Sequence, residues 1–195
     1  MQLADDDASM RSVTQVRPRV SYAELERWPD DGRRFELYDG ELFEMPSPTL
    51  RHQTVVLNVA SLLREYAGRH GGRVVIAPFD IILTPYDVLQ PDVVYFSPGR
   101  ARRLTPEGRG TIAPDLAVEI VSPSTLQNDR GRKMDLLARH GVREYWLVDP
   151  VRHTLERYEP DRGLLTLASV IERCGTLESP FFPGLSVPGA GVFAD

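Results

Sequence analysis

The stretch Leu116–Val121, LAVEIV, does most to restrict the fold. In an extended strand the side chains alternate, so Leu116, Val118 and Ile120 share one face and Ala117, Glu119 and Val121 the other. Both faces are apolar apart from one glutamate. Such a strand belongs in the interior of a sheet covered on both sides. Glu119 is then a buried carboxylate, which needs a cation, a hydrogen-bond donor or a raised pKa. A structural ion pair with an arginine would satisfy it equally well.

The rest of the chain supplies the layers. Ser21 and Glu24 have the spacing of a capping box and predict a short helix. RRFELYDGELFEM reads as a hairpin turning at Asp39-Gly40. SPTLRHQTVVLNVASLLREYAGRHGG predicts a helix whose stripe is Val55, Val59, Leu62, Leu63 and Tyr66, stopped by Gly71-Gly72. RVVIAPFDIIL, PDVVYF and PDLAVEIV read as strands. A polar loop carrying Arg100, Arg102, Arg103 and Arg109 separates the last two. TLQNDRGRKMDLLARHG reads as a helix ending at Gly141. REYWLVDP and HTLERYEP follow as antiparallel neighbours, then the strand GLLTLASVI. The tail SPFFPGLSVPGAGVFAD, rich in Pro and Gly, reads as irregular. The order predicts one α/β domain with a mixed sheet.

The 195-residue length suits a single domain over residues 18–195, preceded by a polar tail over residues 1–17. That tail has no apolar core of a secretory signal, and no stretch is long and apolar enough for a membrane helix. A cytoplasmic protein is expected. The net charge of −5 argues against a surface coated with cations for non-specific nucleic-acid binding, but allows a local basic patch. The single Cys174 excludes an internal disulfide and reads as a small structural hydrophobe.

Two further residues stand out. Asp92 opens the apolar run PDVVYF. Acidic groups on neighbouring core strands repel one another unless a metal lies between them, and oxygen ligands of this kind suit Mg²⁺ or Mn²⁺. Lys133 is the one lysine in a chain with 22 arginines. On a helix it borders the apolar face of Met134, Leu137 and Ala138, and can lean toward the side where Glu119 lies. An exposed pair with Asp129 at i, i+4 is the plainer account, but arginine would serve there as well. A site that keeps lysine needs a compact ammonium rather than a planar fork.

Pro91-Asp92, Glu119 on a following strand and Lys133 on the next helix together resemble the PD-(D/E)XK nuclease superfamily. More closely, the chain is similar to the Uma-type family of restriction-endonuclease-like proteins, from about Arg34 to Pro150. The resemblance rests on FELYDGELFEMPSP with His52 after it, QPDVVYF, PDLAVEIVSPST, the Asp129 and Lys133 pair, and GVREYWLVDP. It implies a restriction-endonuclease-like fold, a mixed β-sheet flanked by helices. It implies Asp92, Glu119 and the Ile120 carbonyl as ligands of Mg²⁺ or Mn²⁺, and Lys133 as the catalytic cation. Glu36 matches a family glutamate that would bind a second metal or orient water. His52 matches a recurrent position on the substrate side, where a histidine that merely caps or packs would also be at home.

The lysine of the superfamily's usual motif, two residues after the glutamate, is Val121 here; the resemblance to the family implies that this lysine has moved onto the following helix, where Lys133 matches it. A second departure is Leu137, where relatives often have tyrosine. The expectation is a metal-dependent endonuclease acting on nucleic acid, with DNA first among its substrates. Lys133 would stabilise the attacking hydroxide or the transition state. Arg130 and Arg132, with the Arg100–Arg109 loop, would grip the phosphate backbone, and a homodimer would offer two sites to a duplex. The rivals are a non-catalytic nucleic-acid-binding or assembly module that keeps the fold, favoured by Val121 and Leu137, and a phosphoesterase acting on a smaller substrate.

Overall fold

The computed structural model describes residues 18–195, so the expected polar tail lies outside the described residues. Helix α1 (Tyr22–Leu25) opens with the capping box. The Ser21 side chain accepts from the Glu24 N–H, and the Glu24 carboxylate accepts from the Ser21 N–H. Strands β1 (Arg34–Tyr38) and β2 (Glu41–Met45) form the hairpin. Asp39 and Gly40 both have positive φ, 51° and 78°, as the tight turn requires. Helix α2 (Leu50–His70) starts at Thr49, whose hydroxyl accepts from the His52 N–H. It ends where Gly71 and Gly72 take φ of 77° and 97°.

Then come β3 (Arg73–Ile76), β4 (Ile81–Thr84), β5 (Asp87–Leu89), β6 (Val93–Phe96), α3 (Pro98–Ala101) and β7 (Leu116–Ile120). A helical segment follows in three parts: α4 (Leu126–Asn128), a π-helical turn (Asp129–Lys133) and α5 (Met134–Arg139). The chain closes with β8 (Glu144–Asp149), β9 (Thr154–Asp161), β10 (Leu164–Glu172), β11 (Thr176–Glu178), β12 (Ser186–Pro188) and α6 (Gly189–Val192).

The main sheet has six strands in the order β10-β9-β8-β7-β6-β3. It is mixed: β7 and β8 run parallel, and the other pairings are antiparallel. A second sheet of four strands, β2-β1-β5-β4, lies beside it. The face of β7 carrying Leu116, Val118 and Ile120 packs under α2, against Val55, Val56, Val59 and Leu63. Each of those burials contributes on the order of 1.5–3 kcal/mol. The opposite face, with Ala117, Tyr145 and Leu147, packs against Met134, Leu136 and Leu137 of α5 and Tyr38, Ile81 and Leu89 of the small sheet. Glu119 lies in β7 on this second face, buried like the rest of the strand.

Three local expectations differ from the structure. The run RVVIAPFDIIL is split between two sheets, β3 in the large one and β4 in the small one. Pro78 has no N–H to continue the ladder. The tail is ordered, because β12 pairs with β11 and Phe182, Leu185, Val187, Val192 and Phe193 bury themselves under α2. Apolar residues spaced between Pro and Gly are enough to dock it. Cys174 is exposed rather than packed as a small hydrophobe. Among the described residues no helix is long and apolar enough to cross a membrane.

Candidate active site

The register of the central strands brings the acids together. Val93 of β6 pairs with Val118 of β7 in antiparallel sense, so Asp92 and Glu119 stand side by side one step further on. Asp92 is tied to β7 directly: its Oδ2 accepts from the Ile120 N–H at 2.8 Å. His52, on the first turn of α2, puts Nε2 3.2 Å from the same oxygen, while its Nδ1 is buried with no partner.

Behind Glu119 sits Lys133, with 0% of its surface exposed. Its Nζ is 3.0 Å from Glu119 Oε1, 3.0 Å from Glu36 Oε1 and 3.4 Å from Asp129 Oδ1. The i, i+4 pair with Asp129 therefore exists, but inside the protein rather than on its surface. Glu36 arrives from β1 in the other sheet. Its Oε1 accepts from the Gln90 N–H at 2.7 Å, and its Oε2 from the Tyr38 hydroxyl at 2.5 Å. Asn128 Nδ2 donates in turn to the Tyr38 hydroxyl. Nothing in the local sequence marks Gln90, Tyr38 or Asn128 as site residues. The available hints are that Tyr38 shares the Glu36 face of β1 and that Gln90 precedes Pro91-Asp92.

The electrostatics are unbalanced. Burial pushes the Glu119 carboxyl well up; Lys133 pulls it down, and Asp129, Asp92 and Glu36 add repulsion. Asp129 is raised by burial against the pull of Lys133. Burial disfavours the Lys133 ammonium, but the surrounding carboxylates outweigh it and hold the group charged. Burial also raises the Tyr38 hydroxyl far above its ordinary value, so it acts as a donor. One ammonium thus serves three contacting carboxylates with Asp92 close by, and Glu119 Oε1 is buried without an aligned hydrogen bond.

Asp92, Glu119 and Ile120 line a cavity of about 550 Å³, together with Arg34, Arg51, His52 and Gln90. Lys133 and Glu36 do not line it; they form the layer behind its wall. The donors present suit a hard divalent cation that keeps open positions. They are two carboxylates and a backbone carbonyl, in a cluster where three carboxylates share one ammonium. Among the described residues no group of three or more His, Cys, Asp or Glu side chains is arranged to hold a metal ion. Any ion would therefore take its remaining ligands from water and substrate.

The arginines expected to grip phosphate stand elsewhere. Arg130 pairs with Glu156 at 2.7 Å and donates to the Tyr158 hydroxyl. Arg132 pairs with Glu41 at 2.8 Å. Neither lines the cavity. Arg100 donates to the carbonyls of Ala113, Pro114 and Gly141, fixing its own loop to the end of α5. Leu137 is a fully buried core residue.

Comparison with known proteins agrees with this architecture. A solved structure of a putative nuclease belonging to DUF820, from Anabaena variabilis, superposes with a TM-score of 0.73 at 20% identity, covering 90% of this chain and 98% of that one. The uncharacterized protein slr1290 of Synechocystis sp. is 27% identical over 146 residues, 72% of this chain and 74% of its own length. The family model Uma2, described as "Putative restriction endonuclease", matches residues 22–190. With that match spanning most of its length, the chain belongs to the Uma2 family.

Proposed function

We propose that this protein is a divalent-metal-dependent endonuclease that hydrolyses a phosphodiester bond of nucleic acid, DNA first among its substrates. The carrying observation is the pairing of Asp92 and Glu119 on adjacent strands at the wall of one cavity, with surplus carboxylate charge behind them. Asp92, Glu119 and the Ile120 carbonyl would hold Mg²⁺ or Mn²⁺. The bound ion would supply Lewis-acid polarisation of a phosphoryl oxygen and a water acidic enough to give hydroxide.

The chain's own residues prepare that site. The Ile120 N–H and His52 fix the Asp92 carboxylate. Lys133 fixes Glu119 from behind, and is itself anchored by Glu36 and Asp129. Because Nζ is sealed from the cavity, Lys133 acts through Glu119, as a positioning residue, rather than by touching the attacking hydroxide. Arg34 and Arg51 are the cavity-lining cations that would meet phosphodiester oxygens, while His52 acts through Asp92. Arg130 and Arg132 lie outside this cavity, paired with Glu156 and Glu41.

The test is cleavage of single- and double-stranded DNA in Mg²⁺ or Mn²⁺ by wild type, Glu119→Gln and Lys133→Arg from identical purifications. Wild type is expected to cut. Glu119→Gln should lose both cleavage and Mn²⁺ binding, and Lys133→Arg should lose cleavage. Equal cutting by all three would trace the activity to a contaminant. Nucleic acid bound equally by wild type and Glu119→Gln, but cut by neither, would make the protein a binding module.

A further inference from the structure

A second cavity of about 280 Å³ adjoins the first, and Arg34 and Gln90 line both. Its chemistry is different. Tyr22, Trp28 and Phe35 give it aromatic walls. Trp28 is 41% exposed, although it is one of the largest apolar side chains in the protein, and its ring meets Phe35 edge-on with centroids 5.7 Å apart. The charges lining the cavity are Glu26, Asp30, Asp31 and Asp80 against Arg33, Arg34 and Arg109. Two of those arginines are already committed, Arg33 to Asp31 at 2.6 Å and Arg109 to Asp80 at 3.3 Å. A phosphate would meet more acid than free cation here.

What fits instead is a flat, neutral ring with an N–H donor on its edge. Gln90 supplies the matching acceptor. Its Nε2 is committed to Asp80 Oδ1 at 2.7 Å, which turns Oε1 away, and that oxygen is buried with no donor. Gln90 lines both cavities, and a small rotation of its side chain would present this unmet acceptor to a ligand.

We propose that the second cavity is a nucleobase subsite. It takes one unpaired base of the strand whose phosphodiester lies in the first cavity, with the ring against Trp28 and an exocyclic amino group on Gln90 Oε1. This rests on the nuclease reading and narrows its substrate. A base held in a duplex cannot enter a cavity without leaving the stack, so the substrate is single-stranded or locally unpaired. Adenine and cytosine carry amino groups on the edge that would face Gln90, and thymine does not.

The test measures cleavage in Mn²⁺ of a short single strand and of the same strand with one abasic nucleotide moved along it. Trp fluorescence is followed in parallel. Trp146 is fully buried, so quenching by the strand reports Trp28. Cleavage should fall about 5- to 150-fold when the abasic position is the one beside the scissile phosphate, and stay unchanged elsewhere. Trp28→Ala should cut the intact and abasic strands alike at the lower rate, and a thermal melt verifies its fold. If every abasic strand and Trp28→Ala are cut as fast as the intact pair, the subsite is overturned and the nuclease reading stands. If the strand quenches Trp28 but is never cut, the subsite stands and the nuclease reading falls. If nothing is cut and nothing quenches, both fall.

Discussion

At the residue scale, the lone lysine has an answer in charge density. Three carboxylates converge within 3.4 Å of one Nζ, in a space with no exposure. A planar guanidinium is larger and spreads its charge. Lys133→Met should leave those carboxylates uncompensated and cost about 3–5 kcal/mol of stability at neutral pH, measured by urea denaturation. Glu144 makes a contrasting case. It accepts from Trp146 Nε1 at 2.9 Å, Ser179 Oγ at 2.5 Å and Arg157 Nη1 at 3.3 Å. Burial nonetheless raises its pKa against those donors. The folded state then holds this proton more tightly than the unfolded chain does. Its contribution to stability is greatest below the ordinary glutamate value of 4.5 and is lost as pH rises through the folded value. Glu144→Gln should flatten that part of the stability–pH curve, while losing about 1–3 kcal/mol near pH 7 because one amide N–H now faces a donor.

At the scale of the element, the segment Leu126–Arg139 carries the most consequence. The sequence predicts one helix there, and the structure inserts a π-helical turn over Asp129–Lys133. A π turn is one residue wider than an α turn, and such insertions gather at functional sites. Here it buries both Asp129 and Lys133 while α5 keeps Met134, Leu136 and Leu137 in the core. Deleting Gly131 should close the π turn to an α turn, change the Asp129 and Lys133 spacing from i, i+4 to i, i+3, and abolish cleavage without loss of helical circular dichroism. Gly131→Ala is the control. A Cβ there meets nothing within 4 Å, so the substitution should stabilise by about 0.4–1 kcal/mol and leave cleavage intact. The helical period of α2 and the alternation of β7 were legible because each repeats along its own element. The π turn was not, because no local pattern in NDRGRK distinguishes it from an α turn.

At the scale of the whole molecule, the candidate site lies at the meeting of the large sheet, the small sheet and two helical segments. It gathers Asp92, Glu119, Glu36, His52 and Lys133 from five elements or their ends. Excess negative charge is stored there, and a cation that binds only the folded state releases it. Mn²⁺ at roughly 100 times its Kd should therefore stabilise wild type by about 2.7 kcal/mol, or a Tm rise of about 5–10 °C for a domain of this size. Glu119→Gln should not respond. A thermal melt with and without the ion decides it.

The sequence by itself determined that LAVEIV is a core strand, that α2 carries one apolar stripe, and that a carboxylate is buried in the strand. Each follows from a period that repeats within a few residues. It also ordered Asp92, Glu119 and Lys133 along the chain. Only the tertiary structure decided that Glu36 would share Lys133 with Glu119 and that Lys133 would sit behind the cavity wall. It likewise engaged Arg130 and Arg132 elsewhere, and left Gln90 with a free acceptor between two cavities. Those outcomes depend on how sheets and helices far apart in sequence meet, and local periodicity carries no record of such meetings.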